Sequence, residues 1–595
     1  MAVRPTDKNE FTWNLADLFE SDEAWEKTLC DVKTKLDKII SFEGHLSDNA
    51  KSLLEFLKLQ DEFSVIMDRL GNYAYRKSDE DTRNSVYQSM KNKFTSVTVD
   101  INKACAFEVP EILAIDDDKL NSFYNELPEL NHYKLALDRI RRQKEHILSK
   151  ECEEILAGTG ILRQAPDEIF SMLNDADMRF NDATDSKGEK HSVTHGTFIP
   201  LMQSEDRELR KSAFESLYSE YERHRNTSAA ILNSQFNQLK FMADMRKYKS
   251  PLDASLDDTE VPTSIYHNLI KTVHENLDSL HDYVKLRKHA LGVDELHFYD
   301  MYTPIVADED FKIEYNEAKQ LTLEALKPLG ENYISMLKEG FENRWIDVYE
   351  NDGKRSGAYS AGAYGVHPYV LLNYTDTLDD AFTLVHEMGH ALHSYLSNKH
   401  QSATYANYVI FVAEVASTCN EALLMQHLLS KTTDSKKRAY LINHFLEQFR
   451  GTLYRQTMFA EFELWLSTQV QNGNALTADS LDKKYGQLNK EYYGEDIHLD
   501  AEITREWARI PHFYYDFYVY QYATGFSAAI ALSQRILKEG KIAVDDYIKF
   551  LSGGCSTDPV SLLKQAGIDM NSPEPIENAL KLFKELTDQL KQLIK

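Results

Sequence analysis

The residues with the clearest chemical signal in this sequence are two histidines that stand one helical turn apart. His386 and His390 are four residues apart in the segment HEMGH, and Glu387 directly follows the first of them. Since about four residues make one turn of an α-helix, both imidazoles project from one face and can share a metal ion. Glu387 can then reach a water molecule at that metal without being a ligand. The pattern indicates metal-assisted hydrolysis.

The alternative is an ordinary helix whose histidines lie on its surface or in the core. The apolar residues around the motif argue against this alternative, because they predict a buried helix; they are Phe382, Leu384, Val385, Ala391, Leu392 and Leu396. Buried imidazoles and carboxylates need polar partners, and a metal supplies one. Thr377, followed by Asp380, predicts where this helix starts. We expect His393, on the same face, to be a core histidine.

A zinc site needs a third protein ligand besides two histidines. One known extension of the motif supplies a third histidine ligand, with glycine at the position of residue 393 and histidine at that of residue 396. This sequence has His393 and Leu396 there, so that extension is excluded. Glu414 lies in the apolar run 411–416, where an unpaired carboxylate is costly unless it binds a metal. Glu421 follows seven residues later on the same helical face. We expect Glu414 to be the ligand and Glu421 to orient an imidazole; the reverse assignment, or a simple salt bridge for Glu421, stays open.

Composition excludes several classes of function. The chain has 595 residues and a formal net charge of −28, which argues against a nucleic-acid footprint and against an anionic membrane surface as partner. No apolar run approaches the length of a membrane span, and the first residues show no apolar segment of a secretory signal. The five cysteines include no closely spaced pair, so we expect a reducing compartment and a cytoplasmic location. Nothing in the sequence indicates the oligomeric state.

The pattern along the chain predicts a mainly α fold. Glycine and proline are scarce, at 23 and 14 residues, and apolar residues recur at helical spacing over most of the chain. Residues 175–200 read as a hairpin and connector, and residues 345–374 read as two or three strands, the only clear sheet signal in the second half. We therefore expect an N-terminal helical domain at 1–200 and a zinc-peptidase-like second domain at 201–595 that carries the histidine motif. The boundary is soft, because the two halves can exchange segments.

The segment HEMGHALH, together with Glu414 in FVAEVASTCNE, resembles the thimet-oligopeptidase family of zinc peptidases, family M3, and most closely its bacterial oligoendopeptidase F branch. Residues 10–19, 356–374 and 509–525 resemble further segments of that branch in the same order. The resemblance covers most of the chain and is densest at 345–530. It implies a helical clamshell with a deep central channel, a metal at the channel floor and a small β-sheet near the zinc helix. Such a channel admits short unfolded peptides.

The resemblance also assigns roles to the motif residues. His386, His390 and Glu414 match the family's zinc ligands, with one Zn²⁺ per chain, and Glu387 matches its general base. Manganese or cobalt suits the same ligand types. The implied activity is zinc-dependent endopeptidase cleavage of internal bonds in short peptides by a metal-activated water.

The late aromatic segment supplies the remaining site residues. Tyr515 and Tyr522 resemble the two family tyrosines that bind the intermediate and the substrate, and they share a face if this segment is helical. His512 resembles the accompanying histidine. Its spacing to Tyr515 is shorter than in the thimet branch, so Tyr514 or Tyr520 is an alternative for that phenol.

Two other functions fit parts of this pattern. A metallocarboxypeptidase would need a cationic anchor for the substrate carboxylate, for which Arg505 and Arg509 are candidates. The other is a helical binding protein with an inactive site. The presence of Glu387 argues against it, because a protein that only binds a metal does not need this carboxylate. Glycines between 357 and 365 either let an edge strand hold an extended peptide or only form a tight hairpin.

Overall fold

The computed structural model describes residues 10–306 and 312–594, and the chain folds as a mainly α protein with small sheets, as predicted. The first nine residues, to which the expectation of no secretory signal applied, lie outside the described ranges. No helix within the described ranges is both long enough and apolar enough to cross a membrane. The described chain forms two compact units: residues 10–145, 312–424 and 532–567 make the first, and residues 146–306, 425–531 and 568–594 make the second. The domain boundary expected near residue 200 stays a prediction.

The helices of the first half are α1 (Asp22–Thr34), α2 (Leu36–Ile40), α3 (Ala50–Glu80), α4 (Ser85–Ala104), α5 (Glu108–Ala114), α6 (Asp117–Glu126), α7 (Lys134–Arg142), α8 (Lys150–Gly158), α9 (Gly160–Ser171), α10 (His195–Met202), α11 (Arg207–Met245), α12 (Pro251–Asp257), α13 (Thr263–His274) and α14 (Leu277–Ala290). Those of the second half are α15 (Tyr315–Ala325), α16 (Glu331–Glu342), α17 (Leu378–His400), α18 (Ile410–Lys431), α19 (Ser435–Gln448), α20 (Arg455–Gln471), α21 (Ala478–Tyr493), α22 (Tyr520–Glu539), α23 (Lys541–Leu551), α24 (Pro559–Gln565) and α25 (Glu574–Leu593).

The strands are short: β1 (Ala183–Thr184), β2 (Lys190–His191), β3 (Leu296–His297), β4 (Ile346–Asp347), β5 (Tyr359–Ala361), β6 (Tyr369–Leu371) and β7 (Ile497–His498). The expected hairpin is confirmed, because β1 and β2 pair antiparallel. The pair β3–β7 is parallel and was not expected, since two-residue strands leave no alternating pattern in the sequence.

The sheet of the first unit confirms the strands expected in residues 345–374. Its order is β4-β6-β5, with β4 parallel and β5 antiparallel to the central strand β6. Tyr369 and Leu371 of β6 are fully buried in an apolar cluster that α1, α3 and α4 also build. Val370 between them is also fully buried, so the central strand is covered on both of its faces. The strand β5 is left at the edge of the sheet.

The second unit is held by long helices and by buried ion pairs. Glu506 is almost fully buried, accepts hydrogen bonds from Arg455 at 2.7 Å and from Tyr485 at 2.6 Å, and so fixes the 3₁₀ segment Glu502–Arg509. A buried carboxylate is tolerated only when it is paired in this way. The late aromatic segment starts directly after this anchored 3₁₀ segment.

Candidate active site

Helix α17 carries the two motif histidines and begins where the sequence predicts. Thr377 is its N-cap: the hydroxyl of Thr377 accepts from the backbone N–H of Asp380 at 3.1 Å, and the Asp380 carboxylate accepts from the N–H of Thr377 at 3.0 Å. This reciprocal capping box satisfies two backbone donors at the helix start. The helix therefore starts at a defined residue, nine residues before Glu387.

Close packing brings α18 and its carboxylates to α17. A Cβ atom on Gly389 would lie 2.6 Å from the Cα of Ser417, so only glycine permits the observed approach of the two helices. Asn420 of α18 is fully buried and donates to the carbonyl of Val385 at 3.4 Å and to the hydroxyl of Tyr333 at 3.0 Å. These contacts fix the register of α18 against the motif helix.

Three candidate ligand atoms converge at this junction. The Nε2 atoms of His386 and His390 are 3.1 Å apart, and Oε2 of Glu414 lies 3.4 Å and 3.6 Å from them. Ligands about 2.0–2.1 Å from a tetrahedral zinc ion lie roughly 3.3 Å from one another. The donor set therefore fits a metal ion. Three other groups of histidines and carboxylates in the described chain also bring potential ligand atoms together, but only this one combines the two motif histidines with Glu414.

Glu421 lies on the other side of the His386 ring. Its Oε1 atom is 2.5 Å from Nδ1 of His386. Because a carboxylate accepts, Nδ1 carries a proton and donates it, and Nε2 is the ring nitrogen that faces Glu414. This arrangement matches the expected orienting role of Glu421 and leaves Glu414 as the carboxylate that faces both imidazoles.

The charges at this junction favour a cation. Burial lowers the pKa of His386, but the hydrogen bond with Glu421 and the charges of Glu421, Glu387 and Glu414 outweigh burial and raise the pKa to about 9. Burial raises the pKa of Glu414, but its hydrogen bond with His390 and the charges of both imidazoles hold that pKa below its usual range. Three carboxyl groups around two imidazoles give an excess of negative charge, which a divalent cation neutralises.

Glu387 is buried next to the three converging ligands and is not one of them. The residue is 7% exposed, and its Oε2 atom has no hydrogen-bond partner in the described part of the chain. Burial raises the pKa of its carboxyl, although the two imidazoles partly oppose this rise. A buried carboxyl oxygen without a hydrogen-bond partner is costly in a fold, and a ligand in the site would supply a partner.

His393 is a core residue, as predicted. It is fully buried, its ring stacks on Tyr408 with centroids 3.8 Å apart, and burial lowers its pKa to about 3. It does not belong to the group of converging ligand atoms. Its position on the motif face therefore reflects packing.

The late aromatic segment is not one helix, so the expected shared helical face of Tyr515 and Tyr522 is wrong. A 3₁₀ turn spans Pro511–Tyr514, Asp516 and Phe517 both have positive φ, at 53° and 62°, and α22 begins only at Tyr520. Left-handed conformations at two non-glycine residues cost energy and cluster at functional sites. Periodicity alone gives no sign of such a turn.

The rings of this segment nevertheless gather around His512. Its ring centroid lies 5.5 Å from that of Tyr515 and 6.0 Å from that of Tyr522, and Tyr518 lies 5.2 Å from Tyr522. Burial lowers the pKa of His512, so the ring is neutral near pH 7. Tyr518 also belongs to this cluster, and no local signal distinguishes it in the sequence from its aromatic neighbours.

The two alternative tyrosines pack elsewhere. Tyr514 is buried and stacks on Phe170 with centroids 4.6 Å apart, and Tyr520 is 1% exposed against Tyr266. Tyr515, in contrast, is 48% exposed. Of the tyrosines that the sequence left open, Tyr515 is the one free of the core.

The two arginines considered as carboxylate anchors have other partners. Arg505 forms an ion pair with Glu222 and donates to the carbonyl of Ala501 at 2.9 Å. The Arg509 guanidinium lies over the ring of Phe198, 4.8 Å from its centroid. Neither arginine offers a guanidinium set aside for a substrate carboxylate.

The edge strand β5 contacts the motif helix through a glycine that follows it. A Cβ atom on Gly362 would lie 2.8 Å from Cβ of Ser394 on α17, so glycine is required for this approach. The order β4-β6-β5 leaves one side of β5 without a strand partner among the described residues. An extended peptide can add to such an edge through main-chain hydrogen bonds.

Comparison with known proteins places the chain in a family. The family model "Peptidase family M3" matches residues 200–582, and the model "Oligopeptidase F" matches residues 111–180. Oligopeptidase PepF of Bacillus subtilis is 49% identical over 99% of this chain and 88% of its own, and group B oligopeptidase PepB of Streptococcus agalactiae is 40% identical over 99% and 98%.

Solved structures agree with this assignment. The oligoendopeptidase-F structure from Enterococcus faecium has a TM-score of 0.75 and 36% identity, covering 96% of this chain and 99% of that one. A solved structure from Chlamydophila abortus has a TM-score of 0.94 and 35% identity over both full lengths. The chain belongs to peptidase family M3, in its oligoendopeptidase F branch, and is a metallopeptidase.

Proposed function

We propose that this protein is a zinc-dependent endopeptidase that hydrolyses internal bonds of short unfolded peptides. The observation that carries the proposal is the convergence of His386 Nε2, His390 Nε2 and Glu414 Oε2, with the orphaned carboxyl of Glu387 next to them in the motif. The names oligopeptidase and oligoendopeptidase F, given to the relatives above, support cleavage within short peptides.

His386, His390 and Glu414 would hold one Zn²⁺ per chain, and Glu421 would keep the His386 ring in the tautomer that binds it. When bound, the metal supplies Lewis-acid chemistry, which acidifies water and polarises the scissile carbonyl. Two imidazoles and one carboxylate suit zinc, with manganese and cobalt as alternatives of the same ligand chemistry.

Glu387 moves the proton in this proposal. Its carboxylate accepts a proton from the attacking water and then delivers that proton to the nitrogen of the leaving amine. Burial supports this role, because a raised pKa makes the carboxylate a stronger base and its conjugate acid stable enough to persist until transfer. General acid–base groups of this kind contribute roughly 10²–10⁴-fold to the rate.

We propose that the phenols of Tyr515 and Tyr522, together with His512, bind the substrate and the oxyanion that the scissile carbonyl oxygen becomes when water attacks. Their gathering in one ring cluster supports a joint role. The free edge of β5 would hold the peptide backbone in an extended form, which tolerates many side chains.

Endopeptidase activity is favoured over carboxypeptidase activity because Arg505 and Arg509 are both engaged within the fold. We propose short peptides as the only partners in the reaction, without nucleic acid or membrane, since the net charge of −28 repels anionic surfaces. None of the five cysteines forms a disulfide, which supports a cytoplasmic location.

The test uses an internally quenched peptide of about ten residues that is blocked at both ends, because an enclosed site accepts flexible chains of limited length. Products are identified by mass spectrometry. We expect internal cleavage that a zinc chelator abolishes and that Glu387→Gln lowers by roughly 10²–10⁴-fold. Glu339→Gln, at an exposed glutamate on α16, is the matched control and should cleave normally.

Metal content separates the roles of the residues. Elemental analysis of the Glu387→Gln protein should still find about one zinc per chain. Loss of cleavage together with loss of metal would contradict the assignment of Glu387 as base. Trimming only of the same peptide with a free C-terminus would instead indicate a carboxypeptidase.

A further inference from the structure

A cavity of about 750 Å³ lies in the first unit beside the motif helix α17. Its walls come from α2 to α5, from the residues that follow β5, from α17 and from the loop before α18, and Glu108 is the first residue of α5. All of the described residues that line it belong to one compact unit. The volume is large enough for several side chains of a bound molecule.

The cavity lies along the same helix, α17, that carries two of the candidate metal ligands. Ser394 and Asn398 line it, and they follow His390 by four and eight residues on the same face of α17. With a rise of 1.5 Å per residue, they lie about 6 Å and 12 Å further along the helix axis. Gly362, which packs against Ser394 directly after β5, also lines the cavity. The cavity therefore lies next to the end of the edge strand β5 and further along the face of α17 that carries the candidate ligands.

The lining combines apolar side chains and neutral polar side chains with two acids. The apolar wall residues are Ile39, Phe63, Val65, Met67, Phe94 and Ile101. The acids are Asp68 and Glu108, and no lysine or arginine stands among the described residues of the lining. An apolar wall that ends in a carboxylate is complementary to a long aliphatic stem that carries a positive charge.

Of the two acids, Glu108 is the one with capacity for a ligand. Asp68 accepts from the N–H of Tyr364 at 2.7 Å and from Asn72 at 3.0 Å, so both of its oxygens are occupied. Oε2 of Glu108 accepts from Gln60 at 2.5 Å, and no described residue donates to Oε1. Burial raises the pKa of the Glu108 carboxyl, and a cation bound beside it would oppose that rise and favour the ionised form.

We propose that this cavity is a specificity subsite that binds a lysine or arginine side chain of the peptide substrate, with Glu108 accepting from the charged head. The inference rests on the proposed endopeptidase function. A peptide in extended form advances about 3.3 Å per residue, so the basic residue lies two to four residues from the cleaved bond. The stem packs on the apolar side chains of the lining and the head reaches the Glu108 carboxylate.

The experiment is a scan of doubly blocked, internally quenched peptides in which one lysine occupies each position in turn. Each lysine peptide is paired with a norleucine peptide, which keeps the stem and removes the charge. At one position two to four residues from the cleaved bond, kcat/KM for lysine should exceed that for norleucine roughly tenfold, as a hydrogen bond to a charged group provides. Glu108→Gln should reduce this ratio to about one.

Glu62→Gln is the matched control, since Glu62 is exposed on α3 and does not line the cavity. Its lysine-to-norleucine ratio should equal that of the unchanged protein. A ratio near one at every position, or a tenfold ratio that survives Glu108→Gln, would overturn the subsite.

Calorimetry keeps the test independent of turnover. The Glu387→Gln protein should bind the best lysine peptide roughly tenfold more tightly than its norleucine partner, and equal affinities would overturn the subsite even if cleavage is normal. Chelator-insensitive cleavage, in contrast, would contradict the proposed zinc endopeptidase function while leaving the binding preference measurable.

Discussion

Oε1 of Glu421 lies 2.5 Å from Nδ1 of His386, on the opposite side of the imidazole from Glu414. Both glutamates come from α18, seven residues and therefore about two turns apart, and they address the two nitrogens of one ring. Their spacing along α18 therefore places one carboxylate at each nitrogen of the His386 ring. One carboxylate is left to face the two Nε2 atoms while the other fixes the proton on Nδ1.

Replacement of Glu421 by glutamine should weaken metal binding without abolishing it. The amide oxygen still accepts a hydrogen bond, but the charge that makes the His386 ring more basic is lost, so zinc affinity should fall roughly 10–100-fold. Competition with a chromophoric chelator measures this affinity, and Glu339→Gln is again the control. An unchanged affinity would show that Glu421 forms only a structural hydrogen bond.

Replacement of Gly389 by alanine should separate the two ligand-bearing helices. The added methyl group would meet the backbone of Ser417, which cannot move as a side chain does. We expect the free energy of unfolding to fall by about 1–3 kcal/mol and zinc affinity to fall with it, because Glu414 moves away from the imidazoles. Urea unfolding and chelator competition measure the two effects.

The control for Gly389 is Gly158→Ala at the end of α8, where nothing lies within 4 Å of the new methyl group. Its stability should change little. If Gly389→Ala kept full zinc affinity, the close approach of α17 and α18 would not be what positions Glu414.

The motif and its helix were predictable because their signals are local. The spacing of His386 and His390, the cap at Thr377 and the apolar residues around Glu414 all act within one or two helical turns. Strands β4 to β6 were visible for the same reason, since turn residues separate short β-prone runs.

Other features depend on partners distant in the chain and left no local trace. The need for glycine at 389 comes from the backbone of Ser417, and the pairing of β3 with β7 joins segments about two hundred residues apart. The left-handed turn at Asp516 and Phe517 also lacks the glycine or asparagine that would signal it. The condition that this segment is helical, on which the shared face of Tyr515 and Tyr522 depended, could therefore not be checked from the sequence.

Tyr522 and Tyr514 offer a matched pair for the late aromatic segment. If the phenol of Tyr522 stabilises the oxyanion, Tyr522→Phe should lower kcat roughly 10²-fold while zinc content stays at one per chain. Tyr514→Phe removes a phenol that stacks on Phe170 and should leave kcat nearly unchanged. Equal losses in both variants would assign the effect to packing of the segment. Tyr515→Phe tests the second phenol in the same assay.

Glu463 links the pH dependence of stability to this strained turn. The residue is fully buried, its Oε1 accepts from the N–H of Phe517 at 2.7 Å, and its Oε2 has no hydrogen-bond partner among the described residues. Burial raises the pKa of Glu463 well above its usual range, and the neighbouring charge of Asp516 adds to the rise. Burial therefore favours the protonated form of this carboxyl in the folded protein.

The unfolded chain ionises the same carboxyl with a pKa of about 4.3. Between that value and the higher folded pKa the folded state binds more protons than the unfolded state, so the free energy of unfolding falls as the pH rises. Glu463→Gln removes the ionisable group and keeps an acceptor for Phe517. Its stability relative to the unchanged protein should therefore improve steadily from pH 5 to pH 8, which urea unfolding at several pH values measures. A difference that is constant with pH would mean that the Glu463 carboxyl is ionised in the fold.

Glu463→Leu separates the effect of charge from that of hydrogen bonding. Its stability should show the same pH trend, but its free energy of unfolding should be lower by about 1–3 kcal/mol at every pH, because the N–H of Phe517 is left without an acceptor.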